Sequence, residues 1–285
     1  MSTRATEAAR PVELPWEEGP LLHTEPPTPP DEATSPDGAA RHDAGAQTDP
    51  APSTSWCDAP LASLDLETTG RDPANDRILA IALFRQGEDG GTPVPIVDTL
   101  VDPGPEVEIP EEAAAVHGIT RERLIAEEAP PLETVLPDVH AALCNLAAEG
   151  VGVVIYNAPF DWPFLAAELA RLDPPRQLPD CALVDPLVLD RHVDRYRKGK
   201  RTLEAAAEHY GVVLDDAHEA AADALASLGV ARAIGRTYPD VGGLSPQELH
   251  ALQVEAHGVW KDSFNAYPRR IDADRDPVTG NWPDR

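Results

Sequence analysis

Short apolar runs separated by turn-forming residues mark the start of the ordered part of the chain. The runs at 61–66, 77–85 and 94–101 are rich in Leu, Ile, Val and Ala and have the length of buried strands. Residues 87–91 read GEDGG, a composition typical of the turn in a β-hairpin. The pattern therefore predicts a three-stranded meander.

Further along, the apolar positions predict helices and two more strands. Apolar residues recur at intervals of three and four in the segments 122–126, 132–148, 160–172, 203–210 and 219–234. Two short apolar runs, 152–156 and 182–184, are typical of buried strands. The order of three strands, helices, strand, helix, strand and helices predicts an α/β fold of the ribonuclease H type, with a mixed five-stranded sheet and flanking helices. A dinucleotide-binding fold would alternate strand and helix from the start.

The two ends of the chain differ from this central region. Residues 1–57 are rich in Pro and acidic residues and have no sustained apolar period. Because such a segment cannot bury enough surface to offset the entropy of ordering it, we predict a disordered tail. We assign residues 58–237 to the central domain. Residues 238–285 form a C-terminal extension, predicted to be a helix followed by a loose tail.

The C-terminal helix has a clear start signal. Ser245, Pro246 and Glu248 supply an N-cap, a first-turn proline and a capping-box acid. Its apolar stripe consists of Leu249, Leu252, Ala256, Val259 and Trp260. Such a stripe more often packs on the parent domain, and the alternative is that it recruits a partner.

Composition argues against several classes of protein. No run approaches the ~18 apolar residues needed to span a bilayer, and the first ten residues lack the apolar core of a secretory signal. We therefore expect a cytoplasmic protein that does not contact the membrane. The three cysteines, Cys57, Cys144 and Cys181, lack CxxC spacing and are expected to be reduced thiols rather than disulfides or zinc ligands.

The net charge of −27 argues at first against a nucleic-acid partner, because phosphate binding draws on Lys and Arg. The distribution of charge changes this view. Residues 1–60 carry a net charge of −8, which leaves −19 for the rest. Within that acidic remainder, six of the 23 basic residues lie close together: Arg191, Arg195, Arg197, Lys198, Lys200 and Arg201. We call residues 191–201 the basic segment and predict that it attracts phosphate, the alternative being a solvated loop and helix end.

Two acids on the first predicted strand are candidate metal ligands. Asp65 and Glu67 are two residues apart, so their carboxylates share one face, about 6–7 Å apart, while Leu64 and Leu66 point into the core. Such a pair can bind one cation and reach a second, although a surface strand would give the same spacing by chance. Thr68 begins the sequence TTG, a turn that would let a substrate backbone approach.

Three further candidates lie next to predicted helices. Asp161 follows the strand at 152–156 and stands at the mouth of the next helix, where its alternative role is an N-cap. His218 and Asp223 are the first and last residues of HEAAAD. Residues five apart on a helix are about 140° apart, so these two side chains cannot share a face if both are helical. We therefore predict that His218 stands on the loop or cap before the helix.

These motifs together resemble a known family. DLETTG at 65–70, YNAPFD at 156–161 and HEAAAD at 218–223 resemble, in this order, the three exonuclease motifs of the DEDDh (DnaQ-like) superfamily. The resemblance is greatest to the epsilon-subunit branch of DNA polymerase III. VHGIT at 116–120 is similar to a further signature of that branch, and Glu112 stands five residues before His117, as it does there.

The resemblance implies a role for each acid and for the histidine. Asp65, Glu67, Asp161 and Asp223 would hold two Mg²⁺ or Mn²⁺ ions, which prefer carboxylate oxygen. Two such cations stabilise charge on both the attacking and the leaving oxygen of a phosphodiester. His218 would be the general base that accepts a proton from the attacking water.

The resemblance also implies contacts with the substrate. The residues expected to shape the pocket for the terminal nucleotide are Thr68, Glu112, His117, Asn157 and Phe160. Phe160 is expected to pack beneath the site rather than to stack on a base. The basic segment lies just ahead of the third motif, so its Arg195, Arg197, Lys198, Lys200 and Arg201 are predicted to track the nucleic-acid strand.

The implied activity is that of a 3′→5′ exonuclease, which releases nucleoside monophosphates from a single-stranded or frayed DNA 3′ end in proofreading or repair. An exoribonuclease of the same superfamily would share every catalytic residue, although ETTG and VHGIT look more like the DNA branch. A hypothesis of another class is a binding or adaptor subunit of a DNA polymerase, docked by the N-terminal tail or the C-terminal helix.

Overall fold

The structure is a computed structural model that describes residues 55–214, 217–266 and 277–284. Its sheet consists of β1 (Leu61–Thr68), β2 (Ile78–Gln86), β3 (Val94–Leu100), β4 (Gly152–Val154) and β5 (Leu183–Val184). The strands lie in the order β3-β2-β1-β4-β5. The pairs β1–β2 and β2–β3 are antiparallel, whereas β1–β4 and β4–β5 are parallel. The predicted meander and mixed five-stranded sheet are therefore confirmed.

The helices within the described residues lie on both faces of this sheet. They are α1 (Glu111–His117), α2 (Arg121–Ala126), α3 (Leu132–Glu149), α4 (Ala158–Arg171), α5 (Pro186–Val193), α6 (Leu203–Tyr210), α7 (Ala220–Thr237), α8 (Pro239–Gly242) and α9 (Pro246–Ala266). On one face α7 packs across β1, β2 and β4, with α6 and α8 behind it. On the other face α3 packs on β2 and β4, and α4 on β2.

Alternation along β1 divides its side chains between these two faces. Ala62, Leu64 and Leu66 are buried in the apolar cluster shared with α3 and α4. Asp65 and Glu67 point to the opposite face, on which α7 packs. The sequence pattern therefore decides which layer receives the carboxylates, as the spacing predicted.

The helices depart from the sequence-based prediction in three places. Helix α5 was not predicted, because its apolar residues continue the run of β5 and hide the change of period. The short helix α8 was not predicted either. The region after residue 110 contains two helices, since Gly118 ends α1 in a left-handed conformation and Thr120 caps α2 through a hydrogen bond from the Arg123 amide.

The structure also corrects both tails. Trp56 and Cys57 were assigned to the disordered N-terminal tail, but both are buried, and Trp56 Nε1 donates to the Val241 carbonyl at 2.9 Å. The rest of that tail, residues 1–54, lies outside the described residues. The predicted loose C-terminal tail is wrong for residues 277–284, because Trp282 is buried; residues 267–276 are not described.

The C-terminal helix α9 is confirmed, with its predicted start. Ser245 Oγ donates to Glu248 Oε2 at 2.7 Å, and the Glu248 amide donates back to Ser245 Oγ at 3.3 Å. The stripe packs on the parent domain at Leu249, whereas Val259 is exposed. The domain boundary at residue 237 stays a prediction.

Two expectations from composition can be compared with the described residues. No helix in these ranges is both long and apolar enough to cross a bilayer. All three cysteines are free, and Cys57 and Cys181 are buried.

Candidate active site

The first strand carries two acids to the α7 face and ends beside a tight turn. Thr68 Oγ1 donates to the Gly70 carbonyl at 2.6 Å, which closes the turn after β1. A side chain at Gly70 would collide with the Asp76 carboxylate, because a Cβ there would lie 2.4 Å from Asp76 Oδ2. Close packing on Asp76 therefore accounts for a glycine at this position. The approach of a substrate backbone to this turn stays a prediction.

Asp223 in the first turn of α7 meets the two strand acids. One carboxylate oxygen from each of Asp65, Glu67 and Asp223 lies within 4.8 Å of the others. Asp223 Oδ1 is buried and has no hydrogen-bond partner among the described residues. Because a buried carboxylate oxygen without a partner is costly, this atom is suited to a positively charged ligand.

Asp161 lies beside this group, in the first turn of α4, and is buried. Its Oδ1 accepts a hydrogen bond from the Leu66 amide at 3.1 Å, between the two strand acids. Its charge also contributes to the raised pKa values of Asp65 and Glu67. The structure therefore brings all four predicted acids close together. The carboxylates of Asp65, Glu67 and Asp223 approach one another, whereas that of Asp161 contacts the β1 backbone.

The pKa values of these acids show the cost of crowding them together. Burial, and then the charges of Asp161, Glu67 and Asp223, raise the pKa of Asp65 well above its usual value. Burial followed by the charges of Asp223 and Asp161 raises the pKa of Glu67 to about 8. Burial also raises the pKa of Asp223, to about 6. Without a cation the cluster therefore retains protons near neutral pH, which is the behaviour of an acidic site that requires counter-charge.

His218 stands before α7, in a left-handed conformation with φ of 72°. The prediction that it lies outside the helix is therefore confirmed. Its side chain is 52% exposed, and its Nε2 lies 3.9 Å from Glu204 Oε1. A positive charge on His218 would act against the effect of burial on Asp223 and lower the pKa of that acid. The imidazole is thus close to the acids and open to solvent.

His117 lines the same cleft from the end of α1. Its Nδ1 accepts a hydrogen bond from the Ile119 amide at 3.1 Å, so Nε2 carries the proton of the neutral ring. Nε2 is buried and without a hydrogen-bond partner in the described part of the chain. Burial, helped by the charges of Arg123 and His218, lowers the pKa of His117, and the Thr68 backbone carbonyl acts in the opposite direction. The cleft has a volume of about 220 Å³ and is open to solvent, and its lining includes Glu67 and His218.

The other predicted substrate-binding residues are not among those that line this cleft. Thr68 is buried at the end of β1, and Glu112 is exposed on α1. Asn157 begins α4 in a left-handed conformation. Phe160 is half-buried and packs on Phe164, with ring centroids 5.3 Å apart, as expected for a residue beneath the site.

The basic segment is built around a buried acid that the sequence did not reveal. Asp190 is buried, and its Oδ2 accepts hydrogen bonds from Arg197 at 2.7 Å and from Arg201 at 2.5 Å. Burial alone would raise the pKa of Asp190, but these two guanidinium groups outweigh it and lower the pKa. Arg197 and Arg201 therefore form structural ion pairs with Asp190. Of the residues predicted to contact the nucleic-acid strand, this leaves Arg195, Lys198 and Lys200, which are all exposed.

Asp185 is a second buried acid that the sequence reading missed. It precedes Pro186, and an acid followed by proline is a common N-cap and first-turn pair, which was the available signal. Its carboxylate accepts hydrogen bonds from the amides of Asn157 at 3.0 Å and Ala158 at 2.9 Å, as well as from α5. It therefore joins the start of α4 to the start of α5.

Comparisons with known proteins agree on one family. A family model for exonucleases, RNase_T, matches residues 63–231. Exonuclease DPD1 of Arabidopsis thaliana, described as chloroplastic/mitochondrial, is 34% identical over 170 residues, which are 56% of this chain and 51% of DPD1. A DNA polymerase III subunit epsilon-like protein of Rhodobacter capsulatus is 31% identical over 207 residues, which are 71% of this chain and 27% of the relative. The chain thus spans about half or less of these relatives.

Solved structures show the same fold. The zinc-bound complex of E. coli exonuclease I with single-stranded DNA gives a TM-score of 0.53 at 21% identity, over 64% of this chain and 41% of that one. Exonuclease X in complex with 5′-overhanging duplex DNA gives 0.50 at 20% identity, over 68% of this chain and 99% of that one. The predicted ribonuclease H-like fold is therefore confirmed.

Proposed function

The chain belongs to the RNase_T exonuclease family of the DnaQ-like superfamily, and on this basis we propose that it is a 3′→5′ exodeoxyribonuclease. It would release nucleoside monophosphates one at a time from a single-stranded or frayed DNA 3′ end. The observation that carries the proposal is the convergence of carboxylate oxygens of Asp65, Glu67 and Asp223 within 4.8 Å. Glu67 also lines the cleft, together with His117 and His218.

The residues present fit a divalent cation, and exonucleases of this family depend on one. Hard cations such as Mg²⁺ and Mn²⁺ prefer carboxylate oxygen, and the unpartnered Asp223 Oδ1 lies within a group of acids whose pKa values are raised. We propose that Asp65, Glu67, Asp161 and Asp223 hold two such ions. When bound, the ions stabilise charge on the oxygens of the scissile phosphate and make water more acidic.

The two histidines of the cleft are suited to different tasks. His218 is exposed beside the acids, so it can accept the proton of the attacking water and return it to solvent. His117 is buried, its lowered pKa keeps the ring neutral, and its Nε2 proton faces the Thr68 backbone without forming a well-aligned hydrogen bond. It would donate a hydrogen bond to an oxygen of the terminal nucleotide. Glu112, Asn157, Phe160 and Thr68 would complete that pocket.

The basic segment would contact the strand upstream of this site. Tyr156, next to Asn157, donates through its hydroxyl to the Arg201 carbonyl at 2.8 Å, which ties the segment to the second motif. Glu204, just beyond the segment, faces His218. In a chain with a net charge of −27, the exposed Arg195, Lys198 and Lys200 would supply a local attraction for phosphate.

DNA is favoured over RNA as the substrate class. The Rhodobacter relative is an epsilon-like subunit of a DNA polymerase, and the E. coli exonuclease I structure contains single-stranded DNA. The alternative, an exoribonuclease, would use the same acids. A polymerase subunit as partner stays a prediction that rests on the name of that relative.

The test follows degradation of 5′-labelled, single-stranded DNA and RNA of the same sequence in Mg²⁺. We expect a one-nucleotide ladder that shortens from the 3′ end and forms faster on DNA. Asp65→Ala should abolish the ladder, whereas Asp138→Ala, on an exposed site of α3 away from the cleft, should retain it. Faster cleavage of RNA would favour the exoribonuclease, and full activity of Asp65→Ala would exclude the proposed site.

A further inference from the structure

The buried carboxylate of Asp185 holds the starts of two helices. It accepts hydrogen bonds from the amides of Asn157 and Ala158 at the start of α4, and from the amides of Leu187 and Val188 at the start of α5. An acid is well suited to this position, because helix N-termini present unpaired amides and a partial positive charge.

This arrangement fixes the helix that carries Asp161. Asp161 lies one turn after Ala158, and its own contact with the sheet is the hydrogen bond from the Leu66 amide. The first turn of α4 is thus attached at both sides: Asp185 holds its amides, and β1 holds the Asp161 side chain. A shift of that turn would move Asp161 relative to the other three acids.

A residue near the C-terminus donates a further hydrogen bond to the same carboxylate. Trp282 is 3% exposed, and its Nε1 donates to Asp185 Oδ2 at 3.0 Å. Its ring also packs on His250 of α9, with centroids 5.1 Å apart. Trp282 lies outside residues 63–231, the region that the exonuclease family model matches. The contact is therefore an addition to the family domain.

The C-terminal helix reinforces the same point of the sheet. Gln253 of α9 is fully buried; its Nε2 donates to the Leu183 carbonyl at 2.9 Å, and its Oε1 accepts from the Asp185 amide at 2.6 Å. One side-chain amide thus satisfies two backbone groups on the outer side of β5, the Leu183 carbonyl and the Asp185 amide. Because Asp185 follows β5 directly, Gln253 fixes the backbone from which the Asp185 carboxylate extends.

We propose that Trp282 and Gln253 are positioning residues of the exonuclease site, which act by fixing Asp185 and, through it, the first turn of α4 and Asp161. The C-terminal extension is then part of the catalytic apparatus rather than a separate appendage. The proposal rests on the proposed function, since it assigns Asp161 to the metal site.

The chain offers a matched pair of variants for the test. Trp282→Phe removes one buried indole N–H while it keeps an aromatic ring. Trp56→Phe makes the same change at a residue that is 4% exposed and donates to the Val241 carbonyl, away from Asp185. Gln253→Met perturbs Asp185 independently, by removing the side-chain amide that binds its backbone, and it replaces Trp282→Phe in the test if that variant does not fold.

Two quantities are measured for each full-length variant: the kcat and KM for single-stranded DNA in Mg²⁺, and deuterium uptake of residues 156–165 in metal-free protein. For Trp282→Phe we expect kcat to fall about 10-fold with KM nearly unchanged, because a hydrogen bond to a charged acceptor typically shifts an equilibrium by that factor or more. Gln253→Met should lower kcat by a similar factor, because it leaves the buried Leu183 carbonyl and Asp185 amide without their partner. Deuterium uptake in residues 156–165 should rise. Trp56→Phe should leave both quantities at the wild-type value.

The outcomes separate this inference from the proposed function. Equal effects of Trp282→Phe and Trp56→Phe on kcat and on uptake would overturn the positioning role. Unchanged kcat in Gln253→Met would do the same. If the wild-type protein lacked nuclease activity, the proposed function would fail, while deuterium uptake would still show whether Trp282 is coupled to α4.

Discussion

The acidic cluster predicts that removing one of its charges stabilises the metal-free protein while it destroys metal binding. Asp223→Asn keeps the size of the side chain and removes its ionisation. Asp223 is half-buried, with its Oδ1 atom fully buried, and burial raises its pKa from 3.8 to about 6. The folded state therefore opposes ionisation of this residue, and the substitution relieves that opposition.

The magnitude follows from the difference between the two pKa values. The unfolded chain ionises near 3.8 and the folded protein near 6, so the cost appears as the pH rises through this interval and is complete above it. A difference of about two pH units corresponds to about 3 kcal/mol. We expect Asp223→Asn to raise the free energy of unfolding by up to that amount at pH 7.5, which for a domain of this size corresponds to roughly 6–12 °C in Tm.

The assay is urea unfolding in EDTA at several pH values between 4 and 8, repeated with Mg²⁺. Without metal, the wild type should lose stability as the pH rises, and Asp223→Asn should lose less. With Mg²⁺, the wild type should gain stability because the ion binds only the folded state, whereas the variant should not. A variant that is less stable than the wild type in EDTA at pH 7.5 would contradict the reasoning.

Two further predictions concern the proposed base and the basic segment. His218→Ala should lower the rate of single-turnover cleavage by the ~10² to 10⁴-fold typical of a lost general base, whereas His209→Ala, at an exposed residue of α6, should not. Equal rates for the two variants would exclude His218 as the base. Replacing Lys198 and Lys200 together by Gln should weaken DNA binding and reduce its salt dependence by about 1.4 in log–log slope, since single strands release ~0.7 counterion per contact. An unchanged slope in a fluorescence-anisotropy titration would exclude phosphate contacts by these lysines.

The sequence predicted most of what local patterns determine. Alternation on β1 correctly placed Leu64 and Leu66 in the core and Asp65 and Glu67 on the other face. The helical geometry of HEAAAD correctly placed His218 outside α7. Both conclusions depend on the period of one element, which a single segment of sequence contains.

The features that the sequence did not predict depend on distant partners. Ion pairs with Asp190 turn the side chains of Arg197 and Arg201 inward, although the segment that contains them has the composition of a solvated basic loop. Trp282 was assigned to a loose tail because its neighbours are polar, yet its partner Asp185 lies 97 residues away in the chain. Burial of such groups is decided by tertiary contacts, which hydrophobic periodicity does not record.

The double hydrogen bond of Gln253 has a consequence for self-association. Exposed backbone amides and carbonyls at the side of a sheet are templates for pairing with a strand of another molecule, and this is a route to aggregation. At β5 Gln253 occupies the Leu183 carbonyl and the Asp185 amide, and α9 packs against this strand. Addition of a foreign strand to this sheet would therefore take place at β3, on the opposite side, where Val94 and Ile96 are exposed.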